Sequence, residues 1–437
     1  MSLIGQHYMV LGLARSGVGA INLLRSNGAR VTGVDSRKLE SLVNVKKLVD
    51  NSEILFSRDS ETTLSGVDVL LVSPGVPSSH PLTQQARLLG LPVIGEIELA
   101  YLFMRGPIMA ITGSNGKTTT TSLVGHILES SAVPAQVGGN IGRPATEMTS
   151  SSRFTQWNVL EISSFQLETV NHFHADLAAV LNVTPNHLDR HGSFSAYASA
   201  KANIFRNQRY SDWAVLNATD ETSNGYGPST PAQKALFNGD AARIVGDQIE
   251  LFGKRLMHVN DVQLPGQHNL ENAMAAAVMC CLAGASNQNI ADGIASFKGV
   301  KHRLEFVREL NGVRFYNDSK ATSVDATLKA LEALKGPLWV ILGGLDKGGS
   351  YRPLAALLSQ KAKSALLIGS AAGIIEEQLR DDLTLEQCGD LSTALTTAVA
   401  RAVPGDTVLL APACASYDQF ESYEHRGDAF RYLVEKL

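Results

Sequence analysis

Residues 111–128 read "ITGSNGKTTTTSLVGHIL", and the spacing of their glycines decides how the middle of the chain is read. The stretch "PIMAIT" ahead of the loop reads as a strand and the residues after Lys117 as a helix. A common phosphate loop has four residues between its first Gly and the Gly-Lys-Thr. Here Gly113 stands only two residues before Gly116, and Ile111 occupies the usual first-Gly position. A strand, a Gly loop and a helix together aim backbone N–H groups at an anion, and the positive helix end favours it. A cation at that end opposes the dipole, so Lys117 needs a reason. A polyphosphate supplies one, with Lys117 reaching its β and γ groups and the Thr118 hydroxyl ligating Mg²⁺. A Gly turn capped by Thr before an ordinary helix is the plain alternative, and it leaves Lys117 unexplained.

The 437 residues suggest about three domains. Hydrophobic residues at 44% and charged residues at 18% suit well-filled globular cores. A net charge of −4 gives no sign of a nucleic-acid or membrane-surface binder. Cys280, Cys281, Cys388 and Cys414 form no CxxC pair or metal-ligand spacing, which points to a reducing compartment. The opening "MSLIGQHYMVLGLARSG" lacks a charged segment followed by a cleavable apolar run, and "AMAAAVMCCLAGA" (273–285) is too short to span a membrane. A cytoplasmic monomer without a membrane span is expected.

Strands alternate with helices in three units, an α/β pattern with parallel sheets. The first (1–95) opens with "HYMVLGLARSGVGAINLLRSNGARVTGVD" and later carries "VDVLLVSPGVP". The second (96–300) holds the loop, the strands "WNVLEIS", "LAAVLNVT" and "DWAVLNA", hairpins and loops over 221–265, and the helix "GQHNLENAMAAAVMCCLAGA". The third (301–437) has "GVRFYND", "PLWVILGG", "SALLIGS" and "DTVLLAP" as strands. The expected classes are a Rossmann-like first unit, a P-loop ATPase-like mixed or parallel middle sheet and a Rossmann-like parallel third sheet.

The shortened loop carries a resemblance. "TGSNGKTTT" resembles the ATP loop of the Mur ligase and folylpolyglutamate synthetase superfamily, whose typical form is TG-[ST]-NGK-[ST]-T. "VLEISSFQLE" (159–168), "LNVTPNHLDRHG" (181–192), "GQHNLENAMAA" (266–276), "HRLE" (302–305), "NDSKAT" (317–322) and "LGGLDKG" (342–348) resemble further family motifs, in matching order and spacing over almost the whole chain. The implied activity is ATP-dependent amide formation. A carboxylate oxygen leaves poorly until it is phosphorylated, and two anions must be screened before they can meet. Two Mg²⁺ and several basic groups answer that need.

By resemblance, Gly113, Ser114, Asn115, Gly116, Lys117, Thr118 and Thr119 cradle ATP. Asn269 and Asn272 face adenine, with amides suited to its donor and acceptor edge, although helix capping explains them equally well. Arg303 reaches the phosphates and Asp318 the ribose region, completing the site when the third domain closes over the second. Glu161 ends an apolar strand, where a sheet presents ligands. The resemblance makes it a Mg²⁺ ligand beside Thr118, and makes His187 a ligand of the second Mg²⁺, with Asp189 and His191 as weaker candidates. A lone helical lysine such as Lys201 is usually a solvated charge. The resemblance instead implies a carbamate formed with CO₂, which requires a neutral amine and hence a depressed pKa.

The turn "GLARSG" has Ala14 where a dinucleotide fingerprint wants Gly, which weakens an oxidoreductase reading. The resemblance places a UDP-sugar there, against Arg15, Ser16, Asp35, Ser36, Arg37, Gly75 and Asn140, with Ser163 and Gln166 from the second unit. "ISSFQLE" and "APACASYDQF" look most like the branch that attaches D-glutamate to UDP-N-acetylmuramoyl-L-alanine, and the Asp-Asn-Pro-Arg stretch of diaminopimelate addition is missing. Lys320, Thr322, Lys347 and Ser416, with His187, are the groups implied for D-glutamate, and Tyr423 packs along it where the family often has Phe. A folylpolyglutamate-type ligase and a nucleotide-driven switch are the competing readings. The first would not be expected to open with a UDP-type pocket, and the second has no need of Lys201, His187 and carboxylate clamps.

Overall fold

The computed structural model describes residues 3–264 and 266–437. The described residues form three sheets. The first joins β1 (His7–Leu11), β2 (Arg30–Asp35), β3 (Leu55–Arg58), β4 (Val69–Val72) and β5 (Val93–Gly95) in the order β3-β2-β1-β4-β5, all parallel. "HYMVL" and "VLLV" are apolar almost throughout because helices cover a parallel sheet on both faces. The strand order reverses between β1 and β4, where an open α/β sheet leaves a crevice beyond its carboxyl ends. There Ser73 Oγ donates to the Gly12 carbonyl at 2.6 Å. Gly17 brings the following helix so close that a Cβ on it would strike the Gly12 carbonyl oxygen.

The second sheet has nine strands: β6 (Ile108–Thr112), β7 (Ala135–Gly139), β8 (Trp157–Glu161), β9 (Leu177–Val180), β10 (Trp213–Asn217), β11 (Gln233–Phe237), β12 (Ala242–Val245), β13 (Gln248–Leu251) and β14 (Lys254–His258). Their order is β14-β13-β12-β11-β10-β9-β6-β8-β7, parallel up to β12 and antiparallel in the hairpins that follow. This is the mixed sheet expected. β6 lies third from the β7 edge, between its parallel neighbours β8 and β9, so the chain leaves these three strands on one side of the sheet. Ala110, Leu160, Ala178, Val180 and Leu216 fill the core beneath.

The third sheet runs β15-β16-β20-β17-β18-β19, from β15 (Glu305–Leu310), β16 (Val313–Asn317), β17 (Leu338–Gly343), β18 (Ala362–Ile368), β19 (Leu385–Gly389) and β20 (Thr407–Leu410). It is the parallel sheet expected, with one antiparallel strand, β15, added at its edge. The cause is local. Asn311 (φ 52°) and Gly312 (φ 77°) are both left-handed, as a two-residue hairpin turn requires. The chain divides into two compact units. Met1–Val262 with Leu270–Ala295 holds the first two sheets, and Gln263–Asn269 with Ser296–Leu437 holds the third. Among the described residues no helix is long and apolar enough to cross a membrane.

Candidate active site

The loop after β6 enters the helix Lys117–Ser130 through Gly116, at φ 83° and with no side chain capping the first turn. The Thr-capped turn is therefore not what forms, and the first N–H groups keep no side-chain acceptor at the cap. A Cβ at Gly116 would run into Asn272 Oδ1. Asn182 clamps the loop from β9: its Oδ1 accepts from Asn115 N at 2.8 Å, its Nδ2 donates to Asn115 O at 3.2 Å, and its carbonyl accepts from Ser114 N at 2.8 Å. Ser114 Oγ shares hydrogen bonds with Thr184 and with Tyr197 Oη at 2.9 Å. Thr118 and Thr119 are buried, and Thr120 Oγ1 donates to Asn272 Oδ1 at 3.3 Å.

Two lysines converge on this loop. Lys117 Nζ folds back to donate to Gly113 O at 2.8 Å and Ser114 O at 3.0 Å. Lys201 Nζ donates to the same Gly113 carbonyl at 2.8 Å and reaches Thr112 Oγ1 at 3.4 Å, and it lies 4.7 Å from the centre of the Tyr197 ring. Lys201 is 1% exposed. Burial, and then the neighbouring Lys117 charge, pull its pKa down to about 6. The helical lysine that composition would leave in solvent is thus a desolvated amine beside the phosphate loop.

Glu161 ends β8 in register with Ile111 on β6. It is 2% exposed; Oε1 accepts from Asn140 Nδ2 at 2.8 Å, while Oε2 is buried with no partner. An orphaned carboxylate oxygen at a sheet's carboxyl end fits a cation ligand, since leaving it bare is costly. Asn140, expected against a sugar nucleotide, here orients that carboxylate. His187 follows β9, exposed and left-handed at φ 53°, its ring 5.0 Å from Phe165 and 6.5 Å from Tyr197. His191 is taken up by Glu168 at 3.1 Å and Ser164 at 3.0 Å. The Asp189 side chain lies outside the described residues.

At the first sheet, the helix Arg15–Ser26 starts behind Ala14 with no side-chain cap. Arg15 is exposed and Ser16 half-buried. Asp35 is not idle: it accepts from Leu13 N at 2.7 Å, Arg37 N at 3.0 Å and both sides of the Arg37 guanidinium at 2.9 and 3.0 Å. Burial works to raise its pKa, but these bonds outweigh it and hold the carboxyl at about 2. Ser36 and Gly75 are exposed. Ser163 and Gln166 form a reciprocal capping box on the helix Ser164–Leu167.

In the second unit, Asn269 is buried, and Asp318 accepts from Leu304 N at 3.1 Å. Burial lifts Asp318 to about 6, against that bond and the charges of Arg303 and Lys320. Lys320 lies 5.9 Å from the Tyr423 ring. Lys347 Nζ donates to Thr322 O at 2.8 Å and Thr322 Oγ1 at 3.3 Å. Ser416 is buried. Arg426, absent from the sequence reading, binds these loops together. It donates to Ser319 Oγ and O at 2.9 Å each, Cys414 O at 3.2 Å and Ala415 O at 3.3 Å, while Ser319 Oγ donates to Tyr423 O. It is fully buried, and desolvation pulls its pKa down to about 10. Tyr197, Asn182 and Arg190 were also missed. Only Tyr197 had a local signal, since it sits four residues before Lys201 on one helix face.

A shortened glycine loop on a mixed sheet, with one α/β sheet before it in the sequence and another after it, defines a P-loop protein of three-sheet type. Family profiles match in the same order: Mur ligase MurD-like, N-terminal domain, over residues 6–95; Mur ligase middle domain over 111–280; and Mur ligase, glutamate ligase domain, over 302–414. The chain is 50% identical to the UDP-N-acetylmuramoylalanine–D-glutamate ligase of Solibacter usitatus, covering 100% of this chain and 99% of the relative. It is 44% identical to the protein of the same name from Koribacter versatilis, again over 100% and 99%. The crystal structure of UDP-N-acetylmuramate-alanine ligase from Thermotoga maritima aligns with a TM-score of 0.61 at 19% identity over 99% of each chain, a likeness of fold. The chain belongs to the Mur ligase family.

Proposed function

We propose that the chain is an ATP-dependent ligase that joins D-glutamate to UDP-N-acetylmuramoyl-L-alanine in the cytoplasm, for peptidoglycan precursor synthesis, and works as a monomer. The observation that carries the chemistry is the convergence of Lys117 and Lys201 on the Gly113 carbonyl, with the bare Glu161 oxygen at the end of the neighbouring strand β8. The relatives' shared name supports the choice of substrates.

In this reading residues 1–95 hold the UDP-sugar, 96–300 the ATP and 301–437 the amino acid. The L-alanyl carboxylate attacks the γ-phosphorus, the bond to the β-γ bridging oxygen breaks, and ADP leaves an acyl phosphate. The D-glutamate amine then attacks the acyl carbon; the C–N bond forms, the C–O bond breaks, phosphate departs and the amine proton is lost. Lys117 and the N–H groups from Gly113 to Thr119 stabilise the charge that builds on the transferring phosphoryl group. Thr118, Glu161, His187 and Lys201 as a carbamate are the groups that would hold two Mg²⁺, which supply charge screening and alignment when bound. Asn269, Asn272, Arg303 and Asp318 serve the nucleotide. Lys320, Thr322, Lys347 and Ser416 hold the amino acid's two carboxylates, with Tyr423 along its side.

The test is ADP formation with UDP-N-acetylmuramoyl-L-alanine and a panel of D- and L-amino acids. ADP release that requires both the sugar nucleotide and D-glutamate, with a D-glutamyl product, is expected. Release independent of either substrate, or with another amino acid in the product, overturns the reading.

A further inference from the structure

Arg190 lies in the short helix Leu188–His191 that His187 opens, yet its side chain works on a different sheet. Nη2 donates to Val76 O at 2.6 Å and Nη1 to Gly75 O at 3.4 Å, both in the segment after β4. Its guanidinium carbon sits 4.3 Å from the centre of the Phe165 ring, and Phe165 in turn contacts the His187 ring at 5.0 Å and stacks on His191 at 5.3 Å. Glu168 Oε2 lies 3.9 Å from Nη2, its other oxygen held by His191. The Arg190 side chain is 15% exposed. A solvated surface arginine would make none of these contacts. All of them lie within the first compact unit.

We infer that Arg190 is a positioning residue for the acceptor, fixing the Gly75–Val76 segment after β4 to the short helix that His187 opens. The inference rests on the function proposed above, in which Gly75 touches the sugar nucleotide and His187 stands at the reacting end. The guanidinium suits this place. Its fork offers diverging N–H donors to two successive carbonyls while its flat face rests on an aromatic ring. A lysine ammonium keeps the charge but loses the fork and most of the stacking. Displacing the segment leaves the phosphate loop untouched, since Asn182 and the Lys117 and Lys201 bonds hold that loop independently.

The experiment compares wild type, Arg190→Met and Arg190→Lys. It reads KM for each substrate, kcat, direct binding of a non-hydrolysable ATP analogue, and the melting temperature. Arg190→Met is expected to raise KM for UDP-N-acetylmuramoyl-L-alanine at least about tenfold and to lower kcat, the usual scale for losing charge-assisted hydrogen bonds. Affinity for the ATP analogue stays within about twofold, and Arg190→Lys falls between the two. A merely structural role would lower the melting temperature and weaken every ligand together. If Arg190→Met does not fold, Arg190→Lys alone decides. An unchanged KM for the sugar nucleotide, or an equal loss of ATP-analogue affinity, overturns the inference while leaving the proposed function standing. A wild-type enzyme that makes no ADP with both substrates overturns both.

Discussion

Lys201 gives the sharpest test of the site. With its pKa near 6, the free amine outnumbers the ammonium by about 30 to 1 at pH 7.5, whereas at the ordinary 10.5 about one lysine in a thousand would be neutral. Only the neutral amine adds CO₂, so burial raises the reactive fraction roughly a thousandfold. Lys117 contributes to this. Its ammonium shares one carbonyl with Lys201, which keeps the two nitrogens within twice 2.8 Å of each other. At an effective dielectric of about 20 that outer separation corresponds to about 3 kcal/mol, or about two pKa units, beside desolvation as the larger cause. The assay is ¹³C NMR with labelled bicarbonate, alongside ADP release in CO₂-depleted buffer. Wild type is expected to show a carbamate signal and to lose activity when CO₂ is removed. Lys201→Ala loses both, its activity falling at least about a thousandfold and recovering in part with short carboxylic acids. Lys117→Met moves the lysine's titration upward and weakens the signal at pH 7.5. A wild-type spectrum without carbamate, together with a fully active Lys201→Ala enzyme, would refute the reasoning.

Three further outcomes follow from the geometry. In Glu161→Gln the bond from Asn140 survives, but the bare oxygen becomes an amide that repels cations; the Mg²⁺ concentration for half-maximal activity should rise about a hundredfold or more with the melting temperature unchanged, and an unaltered Mg²⁺ titration would count against the ligand role. Gly116→Ala forces a side chain into Asn272 Oδ1 at φ 83°, a strain of about 1–2 kcal/mol, and should raise KM for ATP about tenfold or more in steady-state kinetics. Glu96, 1% exposed, accepts from Thr146 N and Oγ1 at 2.7 and 2.9 Å, and burial lifts its pKa from 4.5 to about 7. Between those values the folded state binds more protons than the unfolded, so stability is lost as pH rises through the window, by about 3 kcal/mol in total. Glu96→Gln abolishes that slope, and its stability relative to wild type should climb by about 3 kcal/mol from pH 4.5 to pH 8 in urea unfolding. Parallel curves would contradict it.

The central parallel strands were legible because both their faces are covered, so "PIMAIT", "LAAVLNVT" and "PLWVILGG" stand out as apolar runs. β3, β7 and β19 did not stand out; they lie at sheet edges, partly exposed, with few apolar residues to mark them. β15 was missed for a different reason. Its burial is partial along its length, and the Asn311-Gly312 turn that sets its direction went unread. The strand, glycine turn and helix around Gly116 form a local pattern and could be read from neighbouring residues. Lys201 could not, because its burial comes from Thr112 and Gly113, nearly ninety residues earlier. Nor could the commitment of Asp35 to Arg37 be seen, since two charges two residues apart give no sign of whether they face a ligand or each other. Arg190 and Arg426 went unread because the carbonyls of residues 75, 76 and 319 that they serve stand more than a hundred residues earlier in the chain.

Arg426 also bears on how the protein can be handled. Its charge is met by oxygens from residues 319, 414 and 415, so the helix Tyr423–Glu435 works as a peg driven between two loops that carry Lys320 and Ser416. Shortening the chain ahead of Ser422 would strip the donors from those oxygens and free both loops at once. A fusion partner or affinity tag is therefore safer behind Leu437 on a flexible spacer than grafted anywhere inside that last helix.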